Sequence, residues 1–215
     1  MPLEQVSHDS FWFRLKCTFR FEKLKMIRAY VDYQNTYRLL KDKEGFSLLS
    51  LKMGSLIAEL IESVGEVSSP THRAFSGIHS EDVDPESRAK RMKQFCALRH
   101  QEGISVYARD YAYRKNAEGY LQCREKGIDV RLACEIVAAA AKGEIDGALI
   151  WSADQDLSEA ILVAKEVAAA RNRQFKVYCV EIEGMNPLCG AIPIKLTRTI
   201  LYRNLRCDEM VKDER

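Results

Sequence analysis

The sequence lacks the features that mark several large classes of protein. Its apolar runs stay well short of the roughly 20 residues that a membrane-spanning helix needs, so we expect no membrane association. Its 7 cysteines include no C-x-x-C pair, which argues against a zinc ribbon or a thioredoxin-like redox site. Basic residues interrupt the N-terminal apolar stretch, and no small-residue cleavage site follows it, so we expect no signal peptide. The cysteines are therefore expected to be reduced, in a cytoplasmic protein.

The sequence also lacks a large excess of either charge, internal repeats and a glycine-rich phosphate loop. The chain has 33 basic and 31 acidic residues, a net charge of +2, which excludes a histone-like polycation but allows a local basic face. No G-x-G-x-x-G follows the first predicted strand, which disfavours a dinucleotide-binding domain. The composition, 47% hydrophobic and 30% charged, is typical of a globular domain.

Short apolar segments alternate along the chain with segments of helical periodicity. This alternation predicts βαβ units, and hence an α/β fold with a mostly parallel sheet of about five strands between helices. The segment 108–114 is predicted to be irregular, and 188–205 allows no assignment. The predicted strands are 27–32, 66–78, 104–108, 147–151 and 175–180, and the predicted helices are 48–64, 85–101, 129–142 and 157–170. We expect one domain over 26–185, with an N-terminal extension, 1–25, and a C-terminal extension, 186–215.

Acidic residues fall where the predicted strands end. Asp32 ends the first strand, Asp154 and Asp156 follow the fourth, and Asp129 begins the helix that leads into the fourth. In open parallel sheets, ligands bind beyond the carboxyl ends of the strands, near the point where the strand order reverses. If the first and fourth strands are neighbours, these carboxylates converge on one rim. Asn35, on the first loop, is placed to bind phosphate or to orient a water.

Carboxylates gathered on one rim repel each other unless a cation neutralises them. Mg²⁺ and Mn²⁺ prefer oxygen ligands, and either ion can promote hydrolysis of a phosphodiester. A simpler reading is that Asp129, Asp154 and Asp156 only cap helices or offset the helix dipole. Asp32 has no capping role as clear as theirs, so it supports the metal site more strongly. Glu135, six positions after Asp129, is expected to face solvent.

Three blocks of the sequence resemble the NYN branch of the PIN-like nuclease superfamily, including LabA-like proteins. The blocks are YVDYQN, with Asp32 and Asn35, then EKGIDVRLA, with Asp129, and then SADQDL, with Asp154 and Asp156. They occur in the family's order and cover about residues 27–180. The resemblance implies a three-layer α/β fold and metal-dependent RNA cleavage with Mg²⁺ or Mn²⁺, in which attack by water leaves a 5′-phosphate and a 3′-hydroxyl. It also implies that Asp32, Asp129, Asp154 and Asp156 bind the metal and that Asn35 assists. Many relatives have aspartate where Glu135 stands.

A basic and aromatic stretch fits an RNA substrate. Residues 86–131 hold 11 basic and 6 acidic side chains together with several tyrosines. Lys and Arg neutralise phosphates, and exposed aromatic rings can stack on unpaired bases. The stretch is equally compatible with a solvated helix face and packed tyrosines. The residues predicted to bind RNA, single-stranded or structured, are Arg109, Arg114, Lys115, Arg124 and Lys126.

Three functions remain in competition at this point. The first is a metal-dependent endoribonuclease. The second is a nuclease-like module that binds RNA with little turnover, since a fold does not determine a function. The third is an α/β phosphatase of the haloacid dehalogenase type, which is disfavoured because Asp32 is followed by Tyr33 and Gln34 instead of the D-x-D that such enzymes carry. Whether the chain forms a homodimer stays open.

Overall fold

The computed structural model describes residues 24–206, which form nine strands and six α-helices. The strands are β1 (Met26–Asp32), β2 (Val67–Ser68), β3 (His72–Ile78), β4 (Ile104–Asp110), β5 (Ala112–Lys115), β6 (Leu121–Arg124), β7 (Gly147–Trp151), β8 (Lys176–Glu181) and β9 (Ile192–Lys195). The helices are α1 (Tyr33–Leu39), α2 (Met53–Glu62), α3 (Pro85–Glu102), α4 (Ile128–Lys142), α5 (Leu157–Ala169) and α6 (Arg198–Arg203).

The central sheet has seven strands, and all of its pairings are parallel. Their order is β4-β3-β1-β7-β8-β9, and β2 pairs with the start of β1. The strand order reverses between β1 and β7, which are neighbours over Ile27↔Gly147 to Val31↔Trp151. The predicted α/β class and parallel sheet are confirmed, with seven strands where about five were expected.

Helices cover both faces of the sheet, because the strands direct alternate side chains to opposite sides. In β7, Leu149 and Trp151 belong to a core that includes residues of α2, α3 and α6. Ala148 and Ile150 of the same strand belong to a second core, with residues of α4 and α5. All five residues of β7 are buried, as its wholly apolar sequence predicts. The result is the expected three-layer arrangement.

Helix boundaries agree with the sequence signals in three of the four predicted helices. For α3, Asp84 accepts a hydrogen bond from the backbone N–H of Ser87, Pro85 opens the helix, and Gly103 ends it in the left-handed conformation. The predicted helix 48–64 is shorter than expected, since a 3₁₀ turn, Leu48–Ser50, precedes α2. Leu51 pairs with Leu205 in an isolated bridge, and this long-range contact takes the backbone out of the helix.

Two predicted segments differ from the observed strands. The strand expected at 66–78 is divided into β2 and β3 around Pro70, which cannot donate to a strand ladder. The segment 108–114 is not irregular, because it contains the end of β4 and most of β5. Strand β5 forms an antiparallel hairpin with β6. A turn closes this β5–β6 hairpin, with the Asn116 side chain accepting a hydrogen bond from the backbone N–H of Tyr120.

The domain boundary predicted at residue 185 lies in the connection between β8 and β9, two paired strands of the central sheet. Strand β9 pairs with β8, and Leu188, Ile194 and Leu201 are buried in the two cores. Residues 186–206 therefore belong to the domain, while 207–215, like residues 1–23 of the expected N-terminal extension, lie outside the described residues. Among the helices within 24–206, none is both long and apolar enough to cross a membrane.

Candidate active site

Asp32 is the last residue of β1 and also the N-cap of α1. Its Oδ1 accepts a hydrogen bond from the backbone N–H of Asn35 at 3.0 Å, and its side chain is buried. We expected Asp32 to have the weakest capping role of the four aspartates, and this was wrong. The capping bond fixes the carboxylate at the carboxyl end of the sheet, where the strand order reverses.

The loop after β7 is tied to the loop after β1. The hydroxyl of Ser152 donates to Oδ2 of Asp32 at 3.2 Å, and the backbone N–H of Ala153 donates to Oδ1 of Asn35 at 3.1 Å. The backbone N–H of Asp154 in turn donates to the Ser152 hydroxyl at 3.2 Å. Since the Asn35 oxygen is already engaged, its amide NH₂ is the group that can act as a donor to a ligand.

These loops and the start of α4 enclose a cleft of about 360 Å³. Three of the four predicted metal ligands, Asp32, Asp129 and Asp154, line it together with Asn35. The convergence expected from the sequence is therefore observed for these residues. The other residues that line the cleft are Gln34, Arg38, Leu39, Glu125 and Ala153.

The electrostatics of the cleft are those of crowded acids. Burial raises the pKa of Asp32 from 3.8 to about 6, the Asn35 N–H opposes this rise, and the charges of Asp129 and Asp154 add to it. The pKa of Asp129 is also raised, first by burial and then by the charges of Asp154 and Asp156. Such a site favours a bound cation or a proton over three free carboxylates.

Glu125 and Arg38 also line the cleft, and neither was predicted as a site residue from the sequence. Oε1 of Glu125 accepts a hydrogen bond from the backbone N–H of Gly77 at 2.7 Å. Burial and the charges of Asp32 and Asp129 raise the pKa of Glu125, while Arg38 lowers it. Glu125 stands in the EKGIDVRLA block, so a signal was present. No motif pointed to Arg38.

Two acidic residues lie outside the cleft. Asp156, a predicted metal ligand, is exposed at the start of α5, and it is near enough to raise the pKa of Asp129 without lining the cleft. Its side chain makes no capping hydrogen bond, although its backbone N–H donates to Oδ1 of Asp154 at 3.0 Å. Glu135 does not face solvent as we expected, because it forms ion pairs with Arg73 and Arg131.

The residues predicted to bind RNA are all exposed, on or beside the β5–β6 hairpin. Arg114, Lys115 and Arg124 belong to the hairpin itself, and Tyr120, near its tip, is 72% exposed. Arg109, at the end of β4, places its guanidinium against Gly127, the residue before α4. Lys126 lies between β6 and α4, close to Asp129 in the sequence. We call these five exposed cations, on or beside the hairpin, the cationic rim.

The comparisons with known proteins bear on the fold alone. No family model matches the chain, and no curated protein matches it. The fold is similar to the crystal structure of a protein of unknown function from Vibrio parahaemolyticus, with a TM-score of 0.54. The two are 17% identical, over 84% of this chain and 98% of that chain. At this level of identity, the likeness supports the three-layer α/β architecture.

Proposed function

We propose that this chain is a metal-dependent endoribonuclease of the NYN, PIN-like type. The observation that carries the proposal is the convergence of Asp32, Asp129 and Asp154 on one cleft at the switch point of a parallel sheet. These three residues come from three separate blocks of the sequence, and the blocks are those on which the family resemblance rests.

The donor set of the cleft fits Mg²⁺ or Mn²⁺, because carboxylates offer the hard oxygen ligands that these ions prefer. Within residues 24–206, no three His, Cys, Asp or Glu side chains are arranged as a ready-made metal site. Binding therefore requires rotation of exposed side chains such as Asp129 towards Asp32. A bound ion would polarise the scissile phosphate and lower the pKa of the attacking water.

The chain's own residues supply positioning and charge. Ser152 and the Asn35 N–H hold the Asp32 carboxylate in a fixed orientation. The Asn35 NH₂ and the Arg38 guanidinium line the cleft and are suited to donate hydrogen bonds to phosphate oxygens. Glu125, whose pKa is raised, is suited to accept a proton from the attacking water.

The cationic rim of Arg109, Arg114, Lys115, Arg124 and Lys126 is proposed to bind the RNA substrate. Five cations beside a cleft of acids explain how a polyanion can approach carboxylates that would otherwise repel it. Tyr120 offers an exposed ring on which an unpaired base can stack. RNA is thus the proposed partner, the cytoplasm the expected location, and homodimer formation an open prediction.

Cleavage of a labelled single-stranded RNA, with Mn²⁺, with Mg²⁺ and with EDTA, tests the proposal. We expect cleavage that requires the metal and that is lost in Asp154→Asn. Lys195→Gln, an exposed change on β9 at the far edge of the sheet, is the control that should keep full activity. Undiminished cleavage by Asp154→Asn would overturn the site assignment.

A second candidate is an RNA-binding module with little turnover. Two observations favour it: burial raises the pKa of Asp32 to about 6, and no ready-made metal group exists among the described residues. A partly protonated Asp32 weakens the affinity of the cleft for a cation. Salt-sensitive RNA binding without cleavage under any metal condition would favour this candidate over the nuclease.

A further inference from the structure

A second and larger cavity, of about 570 Å³, lies away from the carboxylate cleft on the flank of α4. We call it the α4 groove. Its floor is formed by β1, β3 and β4 and its wall by the later turns of α4. The charged residues that line it are Arg28, Arg73, Arg131, Glu135, Lys142 and Glu144.

The α4 groove carries four cations and two carboxylates, a net positive charge. Two of the cations are held in place by Glu135. Arg73 donates from Nε and Nη2 to its two carboxylate oxygens at 2.8 and 2.9 Å, and Nε of Arg131 donates to Oε1 at 2.9 Å. These bonds lower the pKa of Glu135, so the arrangement stays ionised at neutral pH. Arg73 and Arg131 therefore present their remaining N–H groups in fixed directions.

The other two cations, Arg28 and Lys142, have longer ion pairs, although Arg28 also forms a hydrogen bond with the Tyr30 side chain. Both approach the exposed Glu144, at 3.7 and 3.8 Å, near the outer limit for an ion pair. In addition, Nε of Arg28 is buried and has no hydrogen-bond partner within residues 24–206. A buried donor without a partner is costly, so Arg28 gains if its side chain turns into the groove and Nε meets the acceptor oxygens of a ligand. A phosphate matches this need, since Arg and Lys are its usual protein partners.

The α4 groove and the carboxylate cleft lie on the same face of the sheet. Arg28, Tyr30 and Asp32 alternate along β1, so their side chains point to one side, with Arg28 about 13 Å from Asp32 along the strand. On α4, Arg131 follows Asp129 by two residues, and its guanidinium lies 4.9 Å from the centre of the Tyr107 ring. Residues two apart on a helix lie about 200° from each other around its axis, so Asp129 and Arg131 project to different sides of α4. The two sites are therefore related through the face of β1 that they share.

We propose that the α4 groove binds phosphates of the RNA strand that flank the scissile phosphate. The proposal rests on the proposed ribonuclease function for the identity of the ligand. The chemistry that it requires is a phosphate ester, which RNA and a free mononucleotide share. The shared face of the sheet, with Arg28 about 13 Å from Asp32 along β1, favours RNA. A strand cleaved at the carboxylates extends beyond them over this face, whereas a mononucleotide has no need of a second site there.

The test is binding of a labelled single-stranded RNA, followed by fluorescence anisotropy over a series of salt concentrations in EDTA. Arg28→Gln and Lys142→Gln should each weaken binding and lower the slope of log affinity against log salt by about 0.7, the value for one neutralised phosphate on a single strand. Glu144→Gln removes the competing carboxylate and should tighten binding. Lys142 and Glu144 are exposed, so their variants test the proposal even if Arg28→Gln fails to fold.

Matched control variants distinguish an effect of the groove residues on RNA affinity from an effect of the net charge. Lys195→Gln and Glu183→Gln make the same charge changes at exposed positions on or near the β9 side of the sheet, and should leave affinity unchanged. Unaltered RNA affinity in Lys142→Gln and Glu144→Gln overturns the proposal. So does tight binding of AMP that these variants abolish while RNA binding persists, because the groove would then serve a free nucleotide.

Failure of the ribonuclease proposal has a different signature. Absence of metal-dependent cleavage, with RNA affinity still dependent on Arg28, Lys142 and Glu144, would remove the nuclease and support the groove. Metal-dependent cleavage, with RNA affinity indifferent to these three residues, would keep the nuclease and overturn the groove.

Discussion

The Ser152 hydroxyl donates a hydrogen bond to Oδ2 of Asp32 at 3.2 Å, joining the ends of two neighbouring parallel strands. Asp32 is 6% exposed and is surrounded by the charges of Asp129 and Asp154. The two hydrogen bonds that it accepts only partly offset the cost of burying its charge, and its pKa rises to about 6. The protonation state of this buried acid therefore affects both the stability of the domain and the charge of its cleft.

The stability of the metal-free protein should depend on pH through Asp32. An acid whose pKa is higher in the folded than in the unfolded chain binds more protons when folded, so the free energy of unfolding falls as pH rises between the two values. The interval from 3.8 to about 6 corresponds to about 3 kcal/mol. Urea unfolding in EDTA should show a larger fall for the wild-type chain than for Asp32→Asn, which should be the more stable protein above pH 6.

Burial raises the pKa of other acids as well, such as Glu125, so they also contribute to the pH dependence of stability. The informative quantity is therefore the difference in stability between the wild type and Asp32→Asn at each pH. A difference that stays constant from pH 4 to pH 7 would contradict a raised pKa of Asp32. Asp146→Asn, which removes an acid outside the cleft, serves to control for the change in net charge.

The two aspartates of the SADQDL block should differ in their importance for cleavage. Asp154 lines the cleft, whereas Asp156 is exposed and acts on the cleft only through its charge. We expect Asp154→Asn to lower kcat by roughly 100-fold or more and Asp156→Asn by less than about tenfold. Asparagine at position 154 keeps the oxygen that accepts the Asp156 N–H, so the loop should remain folded.

Single-turnover kinetics at saturating Mn²⁺ separates the two variants, and circular dichroism checks their fold. Equal losses in both would show that Asp156 rotates into the cleft as a ligand, which is the role that the family resemblance implies. Equal retention of activity would remove both residues from the site.

The layer architecture could be predicted because it depends on local patterns. The all-apolar strand Gly147–Trp151 and the capped helix Pro85–Glu102 each carry their signal within a short window of sequence. The break before Met53 could not be predicted, since it depends on the bridge between Leu51 and Leu205. Strand β9 was missed for a related reason: it is mostly exposed and is a strand only because β8 lies beside it.

The candidate site could be predicted in part for similar reasons. Asp32, Asp129 and Asp154 follow from the rule that ligands bind at strand ends. Glu125 enters the cleft because a backbone N–H of β3 holds it, a contact between residues 48 positions apart. Glu135 forms an ion pair with Arg73 of β3 and does not line the cleft. Such pairings are set by the tertiary fold, and periodicity in the sequence carries no trace of them.

The β5–β6 hairpin should contribute a large part of the electrostatic affinity for RNA. Arg114, Lys115 and Arg124 are exposed, so their replacement by glutamine should leave the fold intact. The triple variant should lower the slope of log affinity against log salt by about 0.7 for each phosphate that is no longer neutralised. Tyr120→Ala should weaken binding by about 1–3 kcal/mol without changing that slope, because stacking involves no counterion release. Filter binding over a salt series measures both quantities, and an unchanged slope in the triple variant would place the RNA elsewhere.

Gly77 lets the ring of Tyr111 lie directly on β3, because a methyl group at this position would overlap the ring. The backbone N–H of Gly77 also holds Glu125, and the Tyr111 hydroxyl accepts a hydrogen bond from the side chain of Gln34. Gly77→Ala should therefore destabilise the domain by about 1–3 kcal/mol, the usual cost of overpacking. It should also lower cleavage, since Glu125 and the start of the hairpin must shift.

A double-mutant cycle identifies the cause of that destabilisation. Removing the ring with Tyr111→Ala makes room for the methyl group, so Gly77→Ala should cost much less in the Tyr111→Ala background than in the wild type. Tyr113, which contacts His79 and Ser80, provides the matched control. A cycle between Gly77→Ala and Tyr113→Ala should be additive within about 0.5 kcal/mol. Additivity in the Tyr111 cycle as well would mean that the ring does not rest on Gly77 in solution. Tyr111 would then not connect Gly77 of β3 with Gln34 of the cleft.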